Sequence, residues 1–131
     1  MKARNSTRGR LSRSVEFERV YRQGRSTANR QLVLYTFVNR SSEGTRLGVS
    51  VSRKVGGAVE RNRVKRLLRE AFARYEDELL PGQDVVVVAR AAALELAERE
   101  GLEGVRAALA DLIARAGVGR GAAAAAGAPG E

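Results

Sequence analysis

The sequence predicts an α+β fold, a small two-layer sandwich of one β-sheet with helices. Three observations predict it: two strand-like segments within residues 31–55, a long amphipathic helix at residues 58–80, and four consecutive valines at residues 85–88. The order of elements read from the residues is α-β-β-α-β-α. A strand that follows a long helical crossover should pair in parallel with an earlier strand.

The first 30 residues should contain one short helix. Residues 1–10 read as a flexible basic arm with too few apolar side chains to fold. The helix should begin at Ser14, a good N-cap, and stop at Gly24. Its apolar face carries Phe17, Val20 and Tyr21. Residues 26–30 read as a polar linker.

Residues 31–39 predict the first strand, because the segment from Leu32 to Val38 contains only β-branched, aromatic and aliphatic residues. Both of its faces are largely apolar, which favours a central strand. Turn residues at 41–44 make the next strand, residues 46–55, its hairpin partner. That strand alternates strictly, with one face carrying Leu47, Val49 and Val51 and the other Gly48, Ser50 and Ser52. The small-residue face either packs beneath a helix or stays open to close approach.

The second half alternates helix, strand and helix. The amphipathic helix should end at Pro81, and the valines at 85–88 form a short buried strand. Residues 91–100 favour a helix that Gly101 interrupts. A final helix to residue 116 has one apolar stripe, formed by Leu102, Val105, Leu109, Leu112, Ile113 and Ala116. Residues 117–131 read as a disordered tail rich in Ala and Gly.

Charge is distributed unevenly along the chain. The formal net charge is +9, but residues 1–75 carry 19 Lys and Arg against five Asp and Glu, whereas residues 76–131 carry five against ten. This asymmetry indicates one nucleic-acid-binding side. A membrane surface is the competing anion, but the basic residues are not laid along an N-terminal amphipathic helix with Trp or Leu opposite them.

The sequence contains neither Cys nor His. Their absence excludes disulfides, zinc clusters, Cys nucleophiles and His general bases. No segment reads as a secretory signal or as a transmembrane helix. The cytoplasm is therefore the expected compartment, and neither a membrane nor a small-molecule substrate is expected as a partner.

The helix at residues 58–80 separates into two faces. Val64, Leu67, Leu68, Ala71, Phe72 and Tyr75 form an apolar stripe, and a polar band beside it contains Arg61, Asn62, Lys65, Arg66 and Arg69. Within this band Arg61, Lys65 and Arg69 repeat at every fourth residue. Like charges at this spacing disfavour an isolated helix by a few tenths of a kcal/mol per pair. A phosphate-facing helix explains the row better than an ordinary solvated face, which normally mixes both signs.

No catalytic constellation accompanies this band. A nuclease needs metal-binding carboxylates or an acid–base pair near the phosphate, and the nearby Glu60 and Glu70 fall apart on the helix. The residues therefore predict binding of phosphates rather than their cleavage. Base-stacking platforms require exposed rings near positive charge. For Phe17, Tyr21 and Tyr35 the residues alone favour a place in the core.

Three segments together carry a family resemblance. Residues 61–72, Arg-Asn-Arg-Val-Lys-Arg-Leu-Leu-Arg-Glu-Ala-Phe, resemble the signature of the protein subunit of bacterial ribonuclease P. Residues 28–35 and 46–56 resemble strands of that family in order and spacing, and residues 84–90 resemble its next strand. The resemblance covers about residues 10–115, which makes residues 11–116 the ribonuclease P protein domain. Gly57 stands where the family usually has Asn, so capping of the following helix should differ.

The resemblance implies a fold in the order α-β-β-β-α-β-α with a left-handed βαβ crossover. It adds a third strand to the two read from residues 31–55. It also implies a function, which is to bind the catalytic RNA of ribonuclease P and the 5′ leader of precursor tRNA during endonucleolytic removal of that leader. No cofactor is expected on the protein itself, and Mg²⁺ is expected on the RNA subunit. A structural RNA-binding protein, such as a ribosomal protein, is the alternative from composition alone, and an autonomous nuclease is the third.

The resemblance also assigns residues. Those implied to meet the RNA subunit are Arg61, Asn62, Arg63, Lys65, Arg66 and Arg69, with Arg53 and Lys54 ending the neighbouring strand. Those implied to bind the leader are Phe17, Tyr21 and Tyr35, together with Ser50 and Ser52. The leader is expected in a cleft between the Arg-Asn-Arg helix and the sheet. No catalytic or metal-binding residue is expected.

Overall fold

A computed structural model describes residues 11, 14–39, 45–75 and 82–117. The predicted basic arm and the part of the predicted tail after Gly117 lie outside the described residues. The described elements are α1 Ser14–Gln23, β1 Arg25–Ala28, β2 Leu32–Val38, β3 Arg46–Val51, α2 Ala58–Tyr75, β4 Gln83–Ala89 and α3 Ala92–Ala116. This α-β-β-β-α-β-α order is the one that the family resemblance implied.

The four strands form one mixed sheet in the order β1-β2-β4-β3. β4 pairs in parallel with β3, which confirms the parallel crossover predicted after the long helix. The left hand of this crossover stays a prediction from the resemblance. β2 lies inside the sheet, also as predicted, and pairs antiparallel with both β1 and β4.

The predicted hairpin between the strands that flank residues 41–44 is wrong. β2 and β3 do run in opposite directions, but β4 lies between them and pairs with both. Nearly every residue of β4 is buried. A strand that is apolar on both faces is most stable in the interior of a sheet, and this preference outweighs the local tendency of the turn to pair neighbouring strands.

The predicted linker at residues 26–30 is also wrong in part, because β1 occupies residues 25–28. β1 is an edge strand, mostly exposed, with the sequence Arg-Ser-Thr-Ala. An exposed edge strand needs no apolar alternation, so its pairing with β2 leaves no hydrophobic signal in the sequence. This is the third strand that the resemblance implied, and it lies before residues 31–55.

The two faces of the sheet are covered unequally. α2 and α3 pack on one face and form the larger core with alternate residues of β2, β3 and β4. The predicted apolar stripe of α2 is confirmed, with Val64, Leu67, Leu68, Ala71 and Phe72 buried. α1 packs on the other face, where Val20 and Val86 are fully buried beside Leu11. The sandwich of sheet and two helices therefore carries one short helix on its outer face.

Glycines set the ends of the helices. Gly57 has no side chain to cap α2, and its N–H instead donates to Oε1 of Glu60 at 2.8 Å. A carboxylate in the first turn also interacts favourably with the helix dipole. Gly101 interrupts α3 as predicted, with φ 59° inside the helix, and Gly117 ends it in the left-handed region with φ 72°.

A buried ionic network that no sequence pattern predicted connects β3, β4 and α1. Asp84 is completely buried, and its carboxylate accepts hydrogen bonds from Nε and Nη2 of Arg46, both at 2.9 Å. Nδ2 of Asn39 donates to the same carboxylate at 2.9 Å. Nη1 of Arg46 donates to Oε2 of Glu16 on α1 at 3.0 Å. The hydrogen bond to Asp84 is the main cause that raises the pKa of Arg46 above its ordinary value.

Replacing Asp84 with Asn should destabilise the protein by about 3 kcal/mol, because the largely buried Arg46 loses its main ionic partner and keeps only Glu16. Urea unfolding measures the change. The control is Glu95→Gln, which removes an ion pair to Arg99 whose two side chains are more than half exposed, and it should change stability by no more than about 1 kcal/mol. If Asp84→Asn and Glu95→Gln lowered the free energy of unfolding by the same amount, the buried network would not be a major source of stability.

Candidate nucleic-acid interface

The register of the strands arranges the α1 face of the sheet in three rows across β2, β4 and β3. We call them the Asp84 row, the Val86 row and the Val88 row. Their members are Phe37, Asp84 and Arg46; Tyr35, Val86 and Gly48; and Val33, Val88 and Ser50. Successive rows are two residues apart along each strand, which corresponds to about 7 Å.

α1 crosses the strands over the first two of these rows. At β3, the Phe17 ring lies so close to Gly48 that a Cβ there would be 2.6 Å from it. At β4, Val20 is buried in one cluster with Val86. At β2, the ring of Tyr21 meets Tyr35 edge-on, with 4.9 Å between centroids. The Val88 row lies beyond these contacts, and its members are only partly buried.

This arrangement creates an aromatic cleft, which we define as the rings of Phe17, Tyr21 and Tyr35 beside the Val88 row. Phe17 and Tyr35 are half-buried, and Tyr21 is 39% exposed. All three lie outside the larger core. Phe17 and Tyr35 pack against the smaller cluster of Leu11, Val20 and Val86, in partial agreement with the core placement favoured by the residues alone, whereas Tyr21 is exposed. Ser50 belongs to the floor of the cleft because it is in the Val88 row. The cleft therefore combines exposed ring surface, an apolar floor and a hydroxyl group.

A basic rim borders the cleft on the side opposite α1. β3 and β4 end, and β2 begins, at the edge of the sheet next to the Val88 row, so the residues just beyond these strand ends lie together. Four of them are exposed cations: Arg30, Arg53, Lys54 and Arg90. Ser52 lies at this rim rather than on the floor, and its Oγ accepts the N–H of Lys54 at 3.3 Å.

The family resemblance assigned Arg53 and Lys54 to the site, but no sequence pattern predicted Arg30 and Arg90 there. Nη1 of Arg90 donates to the carbonyl oxygen of Asn29 at 3.1 Å, which connects the end of β4 to the turn before β2. The available signal was the position of Arg90, directly after the four-valine strand. Only the sheet order, however, brings the two arginines to the same edge as Arg53.

The basic face of α2 lies on the other side of the sheet from the cleft. Asn62, Arg63 and Arg66 are exposed, whereas Arg61, Lys65 and Arg69 are half-buried beside the apolar stripe. Nε of Arg61 donates to the carbonyl oxygen of Gly57 at 3.4 Å. A shallow depression along this face is lined by Asn62, Lys65, Arg66, Arg69, Glu70 and Ala73.

The expected cleft between the Arg-Asn-Arg helix and the sheet does not contain the aromatic residues. The apolar stripe of α2 packs directly into the larger core, while the three rings lie with α1 on the opposite face. The two sites nevertheless approach each other. The connection from β3 to α2, residues 52–57, begins at the basic rim and ends at the first turn of α2. The basic residues thus continue around the sheet edge from the cleft to the helix.

The cations of this surface differ from the arginines of α3. On α3, Arg99 pairs with Glu95 at 3.2 Å and Arg115 with Asp111 at 3.2 Å, both four residues apart. Among the ion pairs of the described residues, none involves Lys54, Arg63, Lys65 or Arg66. Their uncompensated charge favours an external anion, and a phosphate chain supplies one at regular spacing.

Two carboxylates, Glu60 and Glu70, lie on α2 near its basic face. Glu60 accepts the N–H of Gly57, as described above, and Glu70 lies at the depression. Within residues 11, 14–39, 45–75 and 82–117, no group of three acidic, His or Cys residues could hold a metal ion. No helix in that same part of the chain is long and apolar enough to cross a membrane.

Comparisons with known proteins agree with this geometry. The family model described as Ribonuclease P matches residues 6–115. The ribonuclease P protein component of Geobacillus kaustophilus is 45% identical over 87 residues, which cover 66% of this chain and 72% of that protein. The component of Bacillus cereus is 38% identical over 111 residues, covering 85% of this chain and 93% of that protein.

A solved structure is similar as well. The ribonuclease P protein of Staphylococcus aureus superimposes with a TM-score of 0.76 and 36% identity, covering 84% of this chain and 96% of that one. The match to the family model extends over nearly the whole described part of the chain, including α1 with its aromatic residues and the basic helix. The resemblance seen in the sequence is confirmed: the chain belongs to the ribonuclease P protein family.

Proposed function

We propose that this chain binds the RNA subunit of ribonuclease P through the basic face of α2 and holds the 5′ leader of precursor tRNA in the aromatic cleft. Membership of the family implies a subunit of an endoribonuclease with an RNA partner. One observation carries the finer assignment. The cleft, with one exposed and two half-buried rings, opens onto the basic rim. The rim leads to Arg63, Lys65 and Arg66 of α2, which form no ion pair among the described residues.

The cleft suits a single strand better than a folded RNA. Unpaired bases can stack on aromatic rings, and the backbone then follows neighbouring positive charge. The floor extends over three strands, about 10 Å at the usual strand spacing. A base could contact Tyr35 or Phe17 from above Val33 and Val88, with its phosphate towards the rim. The leader is the single-stranded part of precursor tRNA, so it is the segment we assign to the cleft.

The face of α2 suits structured RNA. Its groups are cationic or amide donors with little apolar surface, so they contact phosphates and carry little sequence information. Asn62 and Arg66 are exposed on the depression, and Lys65 lines it too. Because cleft and helix lie on opposite faces but share the rim, the protein could contact the RNA subunit and the leader simultaneously.

The hydrolytic step is assigned to the RNA subunit. Both surfaces offer donors and rings but no acid–base pair, and Glu60 is held by the backbone of Gly57. In this proposal Mg²⁺ and the attacking water are bound by the RNA. The protein increases affinity for the precursor and holds its leader in position.

The protein without RNA should not cleave precursor tRNA in Mg²⁺. It should instead stimulate a bacterial ribonuclease P RNA at low salt, measured as the rate of appearance of the mature 5′ end relative to that RNA alone. Robust cleavage at the correct position by RNA-free protein would refute the division of labour.

Tyr35→Ala should weaken binding of precursor tRNA by about 1–3 kcal/mol, roughly 5- to 150-fold in affinity, because one stacking ring is lost. Binding of mature tRNA, which has no leader, should hardly change. Affinities of the reconstituted holoenzyme for both substrates measure this. Tyr35→Phe keeps the ring and should retain most of the affinity. If the folded Tyr35→Ala variant loses affinity equally for both substrates, the cleft does not hold the leader.

Lys65→Ala should weaken binding of the ribonuclease P RNA and reduce the slope of log K against log salt concentration by about 0.7–0.9, the value for one phosphate contact. The matched control is Arg99→Ala, since the charge of Arg99 is already paired with Glu95 on the same helix. That control should leave the slope unchanged. Identical slopes for the two variants would exclude a phosphate contact at Lys65.

A further inference from the structure

Two consecutive residues of α1 dock on two alternate residues of β3. The carboxylate of Glu16 accepts a hydrogen bond from Nη1 of Arg46 at 3.0 Å. The next residue, Phe17, lies against Gly48, where a Cβ would be 2.6 Å from Cζ of the ring. Since Arg46 and Gly48 face the same side of the sheet, they act together on the first turns of α1.

The guanidinium that holds Glu16 is itself fixed. Nε and Nη2 of Arg46 are both engaged by the fully buried carboxylate of Asp84. This two-point geometry leaves Nη1 directed towards α1. The side chains of Arg46 and Glu16 are only 21% and 17% exposed, so their interaction is screened by water much less than that of a surface pair. Glu16 therefore meets a rigid partner rather than a mobile one.

Gly48 determines how closely the ring can approach. A side chain at this position would overlap Phe17 at two ring carbons, 2.6 and 2.8 Å away, and would come within 3.2 Å of Cβ of Leu11. The absence of a side chain thus lets Phe17 lie directly on the strand. The ion pair pulls α1 towards β3, and Gly48 sets its distance from the sheet.

We infer that Glu16, Arg46 and Gly48 are positioning residues for the 5′ leader, because they set the height of α1 over the sheet and so the width of the aromatic cleft. This inference rests on the proposed leader binding. Phe17 and Tyr21 are carried by α1, whereas Tyr35 and the Val88 row belong to the sheet. Any tilt of α1 therefore changes the separation between the two sides of the cleft.

The chain provides a matched control on the same helix. Glu18 also accepts from an arginine, Arg22, but at 3.5 Å, within α1 and with both side chains more than 60% exposed. Glu16→Ala and Glu18→Ala each remove one negative charge from α1. Only Glu16→Ala removes a contact between α1 and the sheet.

The experiment measures binding of precursor and mature tRNA to holoenzyme reconstituted with each variant, together with its melting temperature. Glu16→Ala should weaken binding of precursor tRNA by about fivefold to tenfold, the lower end of the range expected for loss of a stacked ring. Mature tRNA should bind as to the unchanged protein. Glu18→Ala should leave both affinities unchanged. Gly48→Ala, which alters no charge, should also weaken binding of precursor tRNA but not of mature tRNA, because it displaces Phe17.

The outcomes separate this inference from the function on which it rests. If Tyr35→Ala discriminates precursor from mature tRNA but Glu16→Ala and Gly48→Ala behave like Glu18→Ala, the positioning role is wrong and leader binding stands. If Tyr35→Ala does not discriminate, both fail. Should Glu16→Ala lower the melting temperature strongly, Gly48→Ala decides, because it leaves the hydrogen bond between Arg46 and Glu16 in place and displaces only Phe17. An unchanged precursor affinity in the folded Gly48→Ala variant then overturns the inference.

Discussion

A completely buried carboxylate organises much of this small protein. The Asp84 side chain needs donors, and it obtains them from Arg46 on β3 and from Asn39 directly after β2. These contacts tie β4 to both of its neighbouring strands at the end where β4 begins. The remaining donor of Arg46 reaches α1. Satisfying one buried charge thus joins three strands and a helix, and it fixes the position of the helix that carries half of the aromatic cleft.

The two faces of the sheet differ in how completely they are covered. The face under α2 and α3 buries most of the apolar side chains and supplies the stability of the domain. The face under α1 has a smaller cluster and leaves the Val88 row partly open. Because α1 is short and packs on only part of this face, the aromatic cleft remains at its side. The rings at its border are held by contacts with one another, which keeps them available without unfolding any element.

The distribution of charge follows the same division. The arginines of α3 are neutralised by carboxylates of their own helix, so that side of the molecule offers little attraction to a polyanion. Several cations of α2 and of the rim have no such partners within the described residues. Mutual repulsion among them disfavours the free protein slightly, and the proposed binding of a phosphate chain would relieve it.

The sequence by itself determined the α2 stripe and its basic band, β2 as an interior strand, the parallel entry of β4 and the break at Gly101, because these depend on local periodicity, apolarity and glycine. The family resemblance added the order of the elements, and it suggested that the aromatic residues bind the leader. Only the tertiary structure decided that β4 separates β2 from β3, that β1 exists, and that Arg30 and Arg90 join Arg53 at one edge. Strand order and edge pairing arise from long-range burial and hydrogen bonding, which no short window of sequence records. The Arg46–Asp84 pair, 38 residues apart in the chain, is hidden for the same reason.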